Sequence, residues 1–205
     1  MLASKVIALA KATELKQLAI KGDDEAIVGF INLGVLALYK RFDLKVEEAI
    51  ITTKNGKTVY TLDSTDADVS MGSTNDFLIV TECFDEGGDP VSLNNEFDPL
   101  GIMTPSWNTV EISMYSAGER FSIMYRSAPA FITKTTDPIP VPPQLLEALL
   151  HFIGYRGHGT ITSEVKQENN THYIRFDASC KEVEESGLVL VDDLISQKFE
   201  DRGFV

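Results

Sequence analysis

The sequence predicts an α+β protein: a helical bundle built from the N- and C-terminal segments, with an inserted antiparallel β-sandwich or barrel-like module. Three observations carry this. Apolar residues recur at helical spacing near both ends of the 205-residue chain. The middle is a succession of short strand patterns separated by Gly, Asn, Asp and Pro turns. Charge is also segregated: from Thr58 to Glu119 there is no Lys or Arg, and 12 of the 31 acids fall there. That stretch therefore carries −12 of the net −13. The expected division is 1–44 for an N-terminal helical pair, 45–137 for an acidic β module, 138–189 for C-terminal helices packing with 1–44, and 190–205 for a short helix and a tail.

Taken in order, residues 4–20 read as a first helix, with Leu2, Val6, Leu9 and Thr13 on one face and Gly22 as its stop. Asp23, Asp24 and Glu25 then place acids at the positive end of a second helix dipole. Ile27, Ile31, Val35, Leu38 and Phe42 form its main stripe, while Val28, Leu36 and Tyr39 are apolar on other faces. A helix so apolar all round needs cover on most sides, and Leu36 and Tyr39 are the candidates for contact with a neighbouring subunit. Val46–Thr53 and Thr58–Leu62 flank Lys54-Asn55-Gly56-Lys57, the strongest short hairpin signal. Phe77–Phe84 reads as a strand, and Asp85–Pro90 turns the chain into Val91-Ser92-Leu93. Strands near Thr109–Tyr115 and Arg120–Arg126 are joined by Ser116-Ala117-Gly118. After Pro138, Pro140, Pro142 and Pro143, a helix over Gln144–Tyr155 ends at Gly157 and Gly159. Asn169-Asn170-Thr171 caps a last long helix with the stripe Tyr173, Phe176, Cys180 and Val183 and the stop Ser186-Gly187. A short helix near Asp192–Gln197 precedes the tail.

Composition narrows the class. Apolar residues make up 43% and charged residues 24%, as in ordinary globular proteins. The net charge excludes a freely basic nucleic-acid binder, which needs clustered Lys and Arg. The acidic segment reads either as a solvated surface or as one that must repel another polyanion. Its candidate residues are Asp63, Asp66, Asp68, Asp85, Glu86 and Asp89. Cys83 and Cys180 make no disulfide framework and read as reduced thiols in a cytoplasmic assembly environment. The first ten residues have too short an apolar core for a signal peptide. The longest apolar run, Ala26–Tyr39, is too short to span a bilayer.

Chemical motifs are thin. Gly56-Lys57-Thr58 resembles the end of a phosphate-binding loop, but Ile51 stands where the first Gly belongs, so the triplet reads as a turn. Gly154-Tyr155-Arg156-Gly157-His158-Gly159 follows a helix rather than a strand and reads as a helix exit. Glu147 and His151 share a helix face with His158 two turns on, yet no third metal ligand is evident, and these read as surface or interface histidines. Asp66–Gly72 has calcium-loop flavour, but its Gly is misplaced and Phe77 stands where a bidentate Glu belongs. Asn169-Asn170-Thr171 fits a glycosylation acceptor but reads as a cap. No nucleophile–base pair is legible, so the sequence calls for no catalysis, cofactor or metal. The tail Phe199-Glu200-Asp201-Arg202-Gly203-Phe204-Val205 carries two aromatics and a terminal aliphatic, which suits docking into a partner's pocket.

The order of segments, with Tyr125-Arg126-Ser127-Ala128-Pro129 leading to Ile139-Pro140-Val141-Pro142-Pro143-Gln144-Leu145-Leu146-Glu147-Ala148-Leu149-Leu150 and then to Phe152-Ile153-Gly154-Tyr155-Arg156-Gly157-His158-Gly159, resembles the head-to-tail adaptor (connector) proteins of tailed bacteriophages, mostly short-tailed ones. His172-Tyr173-Ile174-Arg175-Phe176 stands where that family packs a second helix back on the first. The resemblance implies a homo-oligomeric ring, commonly of about twelve copies, docked on the portal protein at the portal vertex and holding tail or nozzle proteins. It implies assembly in the host cytoplasm, passage of DNA without specific binding, and no membrane partner. Other virion roles (tail-tube, tail-completion or capsid-decorating) are the alternative. A calcium- or glycan-binding β-sandwich using the loops around Asp85–Asp89, and a hydrolase, stand behind them.

Overall fold

A computed structural model describes residues 1–72, 77–159 and 166–188. The chain divides into two units. One comprises Met1–Leu44 together with the chain from Pro129 onward; the other is Lys45–Ala128.

In the helical unit, α1 spans Ala3–Ala12 and buries Ala3, Val6, Ile7 and Ala10. This differs from the expected helix over 4–20 and its expected face, since Leu2 and Leu9 are over 40% exposed. Continuing the buried face would next bring in Glu14 and Gln17, so the chain leaves the helix to bury Leu15 and Leu18 instead. Thr13 marks the exit, its hydroxyl donating back to the Leu9 carbonyl at 2.9 Å. A single 3₁₀ turn, Ala19–Gly22, follows. At the other end, the Ala3 and Ser4 N–H groups donate to the carbonyls of Asp137 and Thr135, so the segment before the proline block caps α1.

Helix α2, Asp24–Arg41, forms as its sequence dictates. The Asp23 carboxylate accepts from the Ala26 N–H at 2.9 Å, and Asp24 and Glu25 fill the first turn. Ile27, Ile31, Val35, Leu38 and Phe42 are all at most 1% exposed. The polar residue in this apolar run is satisfied: the Asn32 amide donates to the Ile132 carbonyl and its oxygen accepts from the Ile132 N–H, both at 2.9 Å.

Helix α3, Leu146–Gly159, follows a 3₁₀ turn over Pro143–Leu145, and α4 spans Lys166–Glu185. Two expectations change here. Gly159 ends α3 as expected, but Gly157 does not: it lies within the helix, as does Gly154 of the expected helix exit, where neighbours come too close for a side chain. A Cβ on Gly157 would meet Leu15 Cδ2 at 2.4 Å, and one on Gly34 of α2 would meet Leu149 Cδ1 at 2.6 Å. Residues 169–171 lie inside α4 and do not cap it. The α4 stripe holds for Phe176, Cys180 and Val183, while Tyr173 is half exposed. Gly187, at φ +63°, ends the helical chain as expected. The expected short helix at Asp192–Gln197 lies outside the described residues.

The second unit contains two antiparallel sheets. In one, β1 (Val46–Thr52) lies between β3 (Val69–Met71) and β7 (Arg120–Ser127), and β4 (Phe77–Phe84) pairs with the far side of β7. In the other, β6 (Thr109–Glu111) lies between β2 (Val59–Thr61) and β5 (Met103–Ser106). The expected α+β class is therefore observed. The expected β1–β2 hairpin is not. Its Asn55-Gly56 turn forms, with Gly56 at φ +76°, but both edges of β1 are taken and β2 crosses to the other sheet. Tyr60 holds the turn closed, its hydroxyl accepting from the Lys54 N–H and donating to the Lys57 carbonyl, both at 2.9 Å. Likewise β6 and β7 do not pair. Val91–Leu93 makes one isolated bridge, from Leu93 to Ile102, rather than a strand, and β3 and β5 add to the strands that the sequence predicts. Tyr60, Val110, Phe121, Ile123 and Tyr125 bring both sheets into one apolar core.

In an ordinary helix, Gly→Ala stabilises by about 1 kcal/mol. Gly157→Ala is expected to do the reverse, because displacing the fully buried Leu15 costs about 1–3 kcal/mol. Urea unfolding reads this as a lowered midpoint; a midpoint at or above that of the parent protein would show that Leu15 yields freely.

Candidate functional site

The acidic loops of the β unit are less uniformly charged in space than in sequence. Asp66 and Asp68 face Lys57 at 2.6 and 2.9 Å, and Lys54 pairs with Asp68 from the same turn. Burial works against the Asp66 charge, but the Lys57 ammonium and the N–H groups of Thr61 and Asp68 outweigh it, holding the carboxyl below the ordinary carboxylate range. Lys54 and Lys57 do the same for Asp68. Asp63 is held low chiefly by the Thr65 hydroxyl and N–H. Asp85 organises its own loop, accepting from the Gly87 and Asp89 N–H groups at 2.9 Å. Glu86 and Asp89 are exposed. The six acids thus divide: Asp66 and Asp68 are neutralised by cations, Asp63 and Asp85 fix turns, and Glu86 and Asp89 face water.

On α2, Tyr39 is 5% exposed and its hydroxyl donates to the Pro140 carbonyl at 2.9 Å, which places the side chain in the subunit's own core. Leu36 is half-buried, and Leu33, one turn back on the same face, is 43% exposed. At the end of α2, Arg41 makes a forked pair with Glu184, at 2.6 and 3.0 Å, and bonds Asp177 at 2.7 Å, tying α2 to α4. The tail residues Phe199, Glu200, Asp201, Arg202, Gly203, Phe204 and Val205 lie outside the described residues.

Three exposed aromatics escape a reading by periodicity. Trp107 occupies the two-residue β5–β6 turn and is 70% exposed, and Phe97 is 93% exposed in the loop before β5. Phe131 is 72% exposed beside Ile132, whose backbone the Asn32 amide grips. Large aromatics held outward on fixed backbone are the residues that anchor protein interfaces.

His151 and His158, expected at a surface or interface, come together with His172 inside the helical unit around Glu14. His172 Nδ1 lies 2.8 Å and His151 Nδ1 3.5 Å from the Glu14 carboxylate, and the side chains of all three are at most 14% exposed. The His158 ring stacks on His172 with centroids 4.6 Å apart. Among the described residues, Glu14, His151 and His172 are the one trio of donors close enough to share a metal ion. The acids around Asp66 and Asp85 form no such group among the described residues. Cys83 and Cys180 are buried free thiols, pushed up by burial to about 12 and about 11 respectively, against forming a nucleophilic thiolate. No described helix is long and apolar enough to cross a membrane.

Residues 5–188 match the family model of the SU10 adaptor protein. A search of curated proteins finds no match.

The Lys57 pairs generate a pH prediction. The Asp66 and Asp68 carboxyls lie lower in the folded than in the unfolded chain, so their stabilisation is present above about pH 4 and is lost as pH falls through the depressed folded values. Lys57→Met is expected to lower stability at neutral pH, and thermal unfolding of variant and parent should converge in acid. A difference that persists at full protonation would mean that Lys57 acts instead through its packing over the Tyr60 ring, where Nζ lies 4.7 Å from the centroid.

Proposed function

The chain belongs to the SU10 adaptor protein family, and on that premise we propose that it is a structural adaptor at a bacteriophage head–tail junction, closing into a ring of about twelve copies between the portal and the tail or nozzle proteins of a short-tailed phage. The observation that carries this reading is the family match over residues 5–188, nearly the whole chain. Within it, the adaptor works by binding and not by catalysis, with no cofactor.

Each proposed contact has a physical basis. Leu36, with the exposed Leu33, offers an apolar strip along α2 for a neighbouring subunit. Tyr39 supports that strip from the core side. The residues Phe199–Val205 dock on the portal, with Phe199 and Phe204 as anchors and Arg202 for an acid. DNA passes without adhering because Glu86 and Asp89 keep a negative face toward solvent, while Asp63, Asp66, Asp68 and Asp85 add to the acidic surface in structural roles.

Mixing the full chain with its portal, then measuring mass under native conditions and imaging the product, tests the reading. A ring on the portal is expected; a monomer that ignores the portal overturns it. Leu36→Glu should leave the subunit folded but block ring closure, because closure would bury an unpaired charge. Deleting Phe199–Val205 should leave thermal unfolding nearly unchanged and abolish portal binding; unchanged affinity removes the docking role.

A further inference from the structure

The histidine cluster carries a chemistry that an adaptor role does not use. Glu14 comes from the bend after α1, His151 from α3 and His172 from α4, so three separate segments converge on one point. Their donor atoms lie within 4.8 Å of one another. A tetrahedral zinc ion holds neighbouring donors roughly 3.3 Å apart, and the observed 2.8 and 3.5 Å approaches bracket that spacing. Nδ1 of His151 and Nδ1 of His172 are fully buried and neither makes a well-formed hydrogen bond, so the 2.8 Å approach to Glu14 is close without being geometrically satisfied.

The surroundings are built for this arrangement. Gly154 faces the cluster, and a Cβ there would meet His172 Nδ1 at 2.8 Å and Glu14 Oε2 at 3.0 Å. Only glycine at this turn of α3 leaves room for the donors. The far nitrogen of His151 lies 3.6 Å from the carboxylate of Glu147, one helical turn back and largely exposed, where a small side-chain movement lets the carboxylate accept from Nε2–H. Metal-bound histidines are commonly oriented by such a carboxylate. His158 buttresses the site, its ring stacked on His172 and its Nε2 3.1 Å from the Glu14 carbonyl.

We propose that Glu14, His151 and His172 form a binding site for a divalent transition-metal ion, zinc being the best match to a carboxylate and two imidazole nitrogens. Three protein donors leave one position of a tetrahedral ion for water. With its donors so enclosed, the site serves to fasten the α1 exit, α3 and α4 to one another.

Calorimetric titration of zinc into the metal-stripped full-length chain tests this. One ion per chain is expected, with a thermal midpoint that rises with zinc concentration. Glu14→Gln, His172→Gln and Gly154→Ala should each weaken binding by about 100-fold or more and remove the zinc-dependent rise. Absence of saturable binding, or an affinity in the three variants equal to that of the parent protein, overturns the proposal. If the variants do not fold, the parent protein still decides. Cobalt should give the visible spectrum of a four-coordinate ion, and zinc should shift the Nδ1 resonances of two histidines in ¹⁵N NMR. A six-coordinate spectrum, or histidine resonances unmoved by zinc, rejects the site.

Discussion

The helical unit depends on how closely α3 can approach its neighbours. Three glycines set that distance: Gly34 on α2, opposite Leu149 and Phe152; Gly157 on α3, opposite Leu15; and Gly154, opposite Glu14 and His172. Each trades helix propensity for contact, since glycine in a helix interior is the poorest ordinary choice after proline. With the backbones this near, Leu15 and Leu149 become fully buried, Phe152 packs edge-on to Phe176, and Arg41 reaches both Glu184 and Asp177. A methyl group at any of these positions would displace several of those contacts together, because a core at crystal-like density transmits a shift to its neighbours.

The β unit solves a different problem. Four of its strands, β2, β3, β5 and β6, are short and its loops are acidic, so local pairing alone contributes little. The long strands β1, β4 and β7 form the continuous sheet, and a buried tyrosine and two lysines organise the turn that leads away from it. Lys54 and Lys57 stand just before the basic-free stretch in sequence, yet they fold onto Asp66 and Asp68 within it. The electrostatic face of the unit is therefore set less by the count of acids than by which acids those two lysines leave uncovered.

Much of this was legible from the residues. Asp23 and the five-residue stripe of α2 specified that helix because a cap and a 3.6-residue period are local signals. Phe77–Phe84 matched β4 for a similar reason, its ends being marked by turn residues. What local pattern could not show was pairing. Nothing around Asn55-Gly56 reveals that β1 already has two partners, one of them 68 residues away in sequence at Thr52–Arg120 and 80 at Val46–Arg126. The end of α1 was missed because Leu15 and Leu18 are buried outside helical register. Gly157 reads as a stop because a glycine that ends a helix and one that admits a neighbour look alike in sequence. The histidine cluster was half visible: His151 and Glu147 stood out by spacing, but Glu14 belongs to a segment more than 130 residues earlier, and only packing unites them.

The helical unit is discontinuous in the chain, and this governs the order in which the protein can form. During synthesis, α1 and α2 leave the ribosome first, but α3, whose Leu149 and Phe152 pack against α2 at Gly34, follows only after the whole of Lys45–Ala128 has emerged. The intervening unit has its own core and brings its two ends together, Ser127 N–H donating to the Lys45 carbonyl at 3.0 Å and Val46 lying opposite Arg126. Once it folds, the segment separating α2 from α3 no longer behaves as a long flexible loop, and the entropic cost of closing it, which grows with the logarithm of loop length, falls accordingly. The inserted unit thus acts as a clasp for the nascent chain, shortening the interval in which an almost wholly apolar helix waits uncovered.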